Sequence, residues 1–175
     1  MKESKSLLVN FFEKENITLE MFNQASNLIN TYAVQKIMVK QSPDNLYRMA
    51  QNNYFCVACD NQNNVIACGG ITTQYPDGSK EFGAWAVHSD HQNKNIGKQV
   101  LMHVLHYHNP KEFIFTSANE HSARIFERLG ATRLSEDQIH QDVFISCPSC
   151  ACPGKENKTT RCAYVFFNLK TIEHR

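Results

Sequence analysis

The hydrophobic period of the chain turns from helical to strand-like near residue 53, and that change limits the folds open to it. Before it, Met21, Phe22, Ala25, Leu28, Ile29 and Tyr32 recur at intervals of three and four, the spacing of one face of a helix. A second helix is expected over "QSPDNLYRMA", with Ser42 as N-cap and Pro43 at its first position, where a missing N–H costs nothing. After it, "YFCVACD", "NVIACGGITTQ" and "KEFGAWAVH" are rich in β-branched and aromatic residues. The turn sequences "DNQNN" and "YPDGSK" separate them, so an antiparallel three-strand meander is expected. Helical spacing returns at Ile96, Val100, Leu101, Val104 and Leu105. "KEFIFTS" then reads as a strand, "EHSARIFERLG" as a helix stopped by Gly130, and "ATRL" and "CAYVFFNLK" as strands. A chain in this order is an α/β protein with a mixed, mostly antiparallel central sheet flanked by about four helices.

Composition narrows the function classes. The 175 residues are 42% hydrophobic, enough for one cored domain, and a single domain over residues 1–175 is expected. Eighteen basic and seventeen acidic side chains leave a net charge of +1, with no basic stripe for nucleic acid. No apolar run reaches membrane-spanning length, and "MKESKSLLVNFFEKEN" is broken by charge too early for a signal peptide, so the expectation is a cytoplasmic protein. Seven cysteines, an odd count without an export signal, favour reduced thiols. Cys56, Cys59 and Cys68 lie in strand-like runs as small hydrophobes. Cys147, Cys150, Cys152 and Cys162 form a C-x2-C-x-C-x9-C pattern, the first three in a long loop expected near residues 146–161 and Cys162 at the start of the last strand. Structural zinc, a redox pair and inert thiols all fit that spacing, and no metal ligand is assigned.

The loop "HQNKNIGK" opens the helix at Ile96. A helix N-terminus carries unpaired N–H groups and partial positive charge, which suits phosphate. Gly97 and Asn95 tolerate the backbone angles that let amides converge, and Lys94 and Lys98 add charge. A loop that merely caps the helix fits the same residues.

"AVHSDHQNKNIGKQVL" resembles the acetyl-coenzyme A signature of the GNAT N-acetyltransferases, Gln/Arg-x-x-Gly-x-Gly/Ala, read here from Gln92 to Gly97 with Asn95 at the first glycine. "NEHSARIFERLGA" resembles the family's second signature, matched by Asn119, Phe126 and Gly130. "KEFGAWAVHSDHQ" and "IMVKQSPDNLYRM" are also similar to amino-acid N-acetyltransferases of the glutamate type. The resemblance implies a GNAT fold and acetyl-CoA as cosubstrate, held by Gln92, Asn93, Lys94, Asn95, Ile96, Gly97 and Lys98 at the diphosphate. Trp85, Val87 and Asn119 would lie along the pantetheine arm, with Phe126 near the sulfur. It implies transfer to a primary amine of a small molecule, an amino acid among them. Transfer to a protein N-terminus or lysine, and a catalytically weak acyl-CoA-binding module, remain open.

Glu81 is the candidate base, since an amine arrives as ammonium and must lose a proton. The alternative for Glu81 is a solvated charge after a turn. Many relatives carry at the position of Phe126 a tyrosine that protonates the leaving thiolate. Phe126 has no hydroxyl, so Ser122, Ser117 or water is left for that role. The partners expected are acetyl-CoA and a small amine, without nucleic acid or membrane, and a homodimer is left open.

Overall fold

In the computed structural model, residues 9–35, 37–52, 54–145 and 165–172 are described. Among the described residues are five α-helices and seven strands, of which four helices and six strands are the expected ones in the expected order. They are β1 (Asn10–Glu13), α1 (Leu19–Val34), α2 (Pro43–Asn52), β2 (Tyr54–Cys59), β3 (Val65–Gln74), β4 (Lys80–Val87) and α3 (Ile96–Tyr107). There follow β5 (Ile114–Ala118), α4 (Glu120–Arg128), β6 (Thr132–Leu134), α5 (Asp142–Ile145) and β7 (Val165–Asn168). The sheet order is β1-β2-β3-β4-β5-β7-β6. The mixed α/β architecture is the expected one. The loop expected near 146–161, with Cys147, Cys150 and Cys152, and Cys162 after it lie outside the described residues.

Two compact units emerge from the packing, Met1–Ile71 with Ala84–Tyr107, and Thr72–Gly83 with His108–Arg175. In the first, β2 pairs antiparallel with both β1 and β3. All six residues of β2 are buried, so the strand is covered on both faces. Successive side chains leave a strand on opposite faces. Phe55, Val57 and Cys59 accordingly join Met21, Phe22, Ala25, Leu28 and Ile29 of α1 and Leu46 and Ala50 of α2 in one core. Tyr54, on the other face, stacks against Tyr107 of α3 with ring centroids 4.3 Å apart. The N-cap read from sequence is present: Ser42 Oγ accepts from the Asn45 amide at 3.2 Å. The structure adds Thr18, whose Oγ1 accepts from the Met21 amide at 3.2 Å.

In the second unit, β5 pairs parallel with the start of β4 and antiparallel with β7, which also pairs with β6. Tyr75, Phe115, Ile139, Val143 and Phe166 form its core. Gly130 stops α4 with φ of 86°, the left-handed C-cap that glycine adopts without a Cβ clash.

Strand β1 and helix α5 had no sequence signal. Each is four residues long, too short to display a period.

Candidate active site

The loop before α3 reverses its backbone twice. Asn93 and Asn95 both have φ of 61°, in the left-handed region where asparagine is the best tolerated non-glycine residue. Backbone reversals of this kind aim successive N–H groups at a common point and make anion-binding concavities. The helix then starts, with the Gln99 amide bonded to the Asn95 carbonyl at 3.0 Å. Lys94 is exposed and Lys98 half-buried, so positive charge flanks the helix mouth. Ile96 is 2% exposed, so its side chain anchors the helix in the core and only its backbone can face a ligand.

Gly97 earns its place by closeness rather than by backbone freedom. A Cβ there would sit 2.9 Å from Val87 Cγ2 and 3.2 Å from Trp85 Cζ2. The Trp85 indole N–H donates to the Gly97 carbonyl at 3.0 Å, fastening α3 to the end of β4. Missing from the sequence reading was Tyr32. Its hydroxyl donates to the Val87 carbonyl at 2.5 Å and accepts from Gln92 Nε2 at 2.9 Å. Gln92 thus steadies the loop through a residue on α1. The His88 amide bonds to the Ile66 carbonyl of β3 at 2.8 Å. Amides alternate between strand edges, so the Val87 N–H points to the opposite edge.

Glu81 stands near the start of β4, opposite Phe115 in the parallel register. Both its oxygens are engaged. Ser117 Oγ donates to Oε1 at 2.7 Å, and Tyr75 Oη donates to Oε2 at 2.8 Å. The carboxylate is half-buried and its Tyr75 partner buried, with the tyrosine ring packed near Phe115. Solvated charge after a turn does not describe this group. Period two along β4 stops at Ala84, whose φ is 49°, so the facing of Glu81 and Gly83 does not carry on to Trp85.

Beside Glu81 in sequence, Lys80 Nζ lies 2.8 Å from Glu112 Oε1 and 3.2 Å from His108 Nδ1. His108 Nδ1 is in turn 2.9 Å from Glu112 Oε2. Burial and the Lys80 charge hold the His108 imidazole below its ordinary range, against the pull of Glu112. Burial works the other way on Glu112, but Lys80 prevails and keeps its carboxyl low.

Asn119 caps α4, its Oδ1 accepting from the Ser122 amide at 2.9 Å and from Ser122 Oγ at 3.0 Å. Phe126 is 2% exposed, and its ring lies 5.9 Å from that of Phe167. His88 Nδ1 accepts from the Asp90 amide at 3.3 Å. The three described cysteines are buried and unoxidised. Burial pushes the Cys59 thiol up to about 11 and the Cys68 thiol up to about 12, and raises Cys56 further, so none of the three is a ready nucleophile.

A strand, a loop with two left-handed asparagines and a helix N-terminus follow one another here, an arrangement of an α/β protein that suits a phosphate-bearing ligand. Residues 20–131 match the model of the acetyltransferase (GNAT) family. No curated protein shows significant sequence similarity to the chain. Among solved structures, a GNAT-family acetyltransferase from Staphylococcus aureus Mu50 superposes with a TM-score of 0.66 at 12% identity, covering 93% of this chain and 99% of that one. N-acetylglutamate synthase from Neisseria gonorrhoeae, complexed with coenzyme A and N-acetyl-glutamate, gives 0.70 at 15% identity over 92% of this chain and 35% of its own. The chain therefore spans about a third of that synthase. Rv2747 from Mycobacterium tuberculosis, also in complex with CoA, gives 0.61 at 22% identity over 79% of this chain and 80% of its own. The chain belongs to the GNAT acetyltransferase family. It is an acetyl-CoA-dependent N-acetyltransferase with acetyl-CoA as cosubstrate. No helix among the described residues is long and apolar enough to cross a membrane.

Proposed function

We propose that residues 1–175 act as a single acetyltransferase domain that moves acetyl from acetyl-CoA to the primary amine of a small molecule, with amino acids the first class to test. Attack is direct, in a ternary complex. The observation that carries the reading is Glu81 held between two hydroxyl donors, on the strand that ends at the loop of residues 92–97.

The residues fit the coenzyme. Amides of Asn93 to Gly97 and the Lys94 and Lys98 charges suit its diphosphate, and the missing Cβ at Gly97 keeps the helix mouth close to β4. When bound, acetyl-CoA supplies an activated acetyl thioester. The Val87 N–H is our candidate backbone donor for the developing oxyanion, a kind of contact worth ~3 kcal/mol in the barrier. The backbone of Trp85 and Val87 is the candidate for strand-like bonds to the pantetheine arm, and the Asn119 amide is a further candidate for that arm. Glu81 takes the proton from the incoming ammonium, directly or through one water. The amine nitrogen bonds to the acetyl carbon, the carbon–sulfur bond breaks, and the thiolate takes a proton. Ser117, already donating to Glu81 Oε1 at 2.7 Å, can return a proton from the same group, and Ser122 is the second candidate. We assign Phe126 to packing beside the arm.

The N-acetylglutamate synthase neighbour supports the amino-acid branch, as does the likeness of "KEFGAWAVHSDHQ" to such enzymes. The phenylalanine at position 126 favours one rival, a coenzyme-binding module with little turnover. A panel of amino acids, other small amines and peptides, assayed by release of free thiol from acetyl-CoA, separates the readings. Turnover with a small amine is expected. Turnover with peptides alone refutes the small-molecule acceptor, and a coenzyme-induced thermal shift without thiol release favours the module.

A further inference from the structure

Glu13, Cys56 and His103 place a carboxylate oxygen, a thiol sulfur and an imidazole nitrogen within 4.8 Å of one another. The topology brings them there from three elements. Glu13 and Cys56 are register partners across β1 and β2, so their side chains leave the same face as neighbours. Tyr54, two residues before Cys56, shares that face and stacks on Tyr107 of α3. His103 lies one turn before Tyr107 on the same helix side. Phe11 stacks on its ring at 4.4 Å and fixes the orientation, and Nδ1 lies 2.8 Å from Glu13 Oε1. Cys56 has no exposure, whereas the His103 and Glu13 side chains are 39% and 37% exposed. The thiol is thus buried, while the carboxylate and imidazole beside it are partly open to solvent. None of the three residues belongs to the loop of residues 92–97 or to the Glu81 group.

We propose that Glu13, Cys56 and His103 form a zinc(II) site with a water molecule as the fourth ligand. Zinc, borderline-soft and without geometric preference of its own, takes this mixed sulfur, nitrogen and oxygen set, and three protein ligands leave one position open. Zinc–ligand bonds of roughly 2.0–2.3 Å set tetrahedral donors about 3.3–3.7 Å apart, so the trio must tighten by about 1 Å at its longest separation. On binding, the Cys56 thiol loses its proton to solvent and forms a zinc–sulfur bond. His103 Nδ1 exchanges its contact with Glu13 for the metal, and a Glu13 oxygen becomes the third ligand. The bound ion would tie the edge strand β1 to β2 and α3.

The test uses the full chain carrying C147S/C150S/C152S/C162S, which removes the thiols of the other cysteine cluster, alongside the parent. Cobalt(II) titration reads thiolate-to-metal absorption, and dialysis against zinc(II) with elemental analysis reads stoichiometry. One zinc per chain is expected in this background, with a cobalt–thiolate band and a raised Tm. Cys56→Ser should lose the band, and Glu13→Gln and His103→Gln should weaken uptake and lose the zinc-dependent rise in Tm. These two side chains are partly exposed, so the variants should fold, and an unchanged coenzyme A thermal shift checks that they have. No zinc taken up by the background, or a band surviving in Cys56→Ser, would overturn the assignment.

Discussion

Replacing Gly97 with alanine sets two physical effects of known size against each other. Inside a helix, alanine is favoured over glycine by about 1 kcal/mol, so propensity alone predicts a more stable protein. Space predicts the reverse. The new Cβ would lie 2.9 Å from Val87 Cγ2, 3.2 Å from Trp85 Cζ2 and 3.4 Å from Trp85 Cε2. Neither neighbour yields easily, because Val87 is branched and stiff at χ1, and Trp85 is tied by its indole N–H to the Gly97 carbonyl itself. Overpacking of this kind costs about 1–3 kcal/mol. The expected net effect is a loss of about 1 kcal/mol, or a Tm lower by roughly 2–4 °C for a chain of this size. The relief available is for α3 to back away from β4, which carries the loop amides with it. Coenzyme A at about 100 times its Kd stabilises by ~2.7 kcal/mol, and a tenfold weaker Kd at the same concentration leaves about 1.4 kcal/mol. Thermal unfolding of Gly97→Ala with and without coenzyme A measures both quantities. A variant more stable than the parent, with an undiminished coenzyme response, would show that the close approach of α3 to β4 does not shape this site.

Glu81→Gln removes the base while keeping an acceptor for Ser117, and turnover should fall about 100- to 10,000-fold with little change in the coenzyme A thermal shift; unchanged turnover rules the base out. Tyr32→Phe deletes the hydrogen bond to the Val87 carbonyl, and should cost about 1 kcal/mol in urea unfolding and loosen coenzyme binding; equal stability and affinity would count against Tyr32 as the loop's brace. Asn95→Gly should retain coenzyme binding, whereas Asn95→Ala, forced to φ near 61°, should lose about 1 kcal/mol of stability. The folded state disfavours protonated His108, first by burial and then by Lys80, so its contribution is complete above the ordinary value of 6.5 and declines as pH falls below it. His108→Gln should flatten that part of the stability profile; an unaltered profile assigns it elsewhere.

Much of this architecture was legible along the chain, because what specifies it is local. The three-and-four spacing from Met21 to Tyr32 marks a helix wherever it lies, and Ser42 before Pro43 marks the next start. Asn93 and Asn95 carry their own tolerance of positive φ, so the shape of the loop at the helix mouth was written into residues 92–97. Strand β1 was not legible, because four residues show no period and its place follows from pairing with β2.

What the tertiary structure alone decided is which distant side chains meet. Tyr32 reaches Val87 across 55 residues, Ser117 reaches Glu81 across 36, and Glu13 reaches His103 across 90. No periodicity encodes such meetings, since each depends on register and helix placement summed over the intervening chain. The sequence by itself determined most of the elements, their order and the turn at the mouth of α3. Only folding determined that the Glu81 carboxylate is held by two hydroxyls, and that a carboxylate, a thiol and an imidazole converge beneath α3, because hydrogen bonds and metal sites require distances that sequence separation does not set.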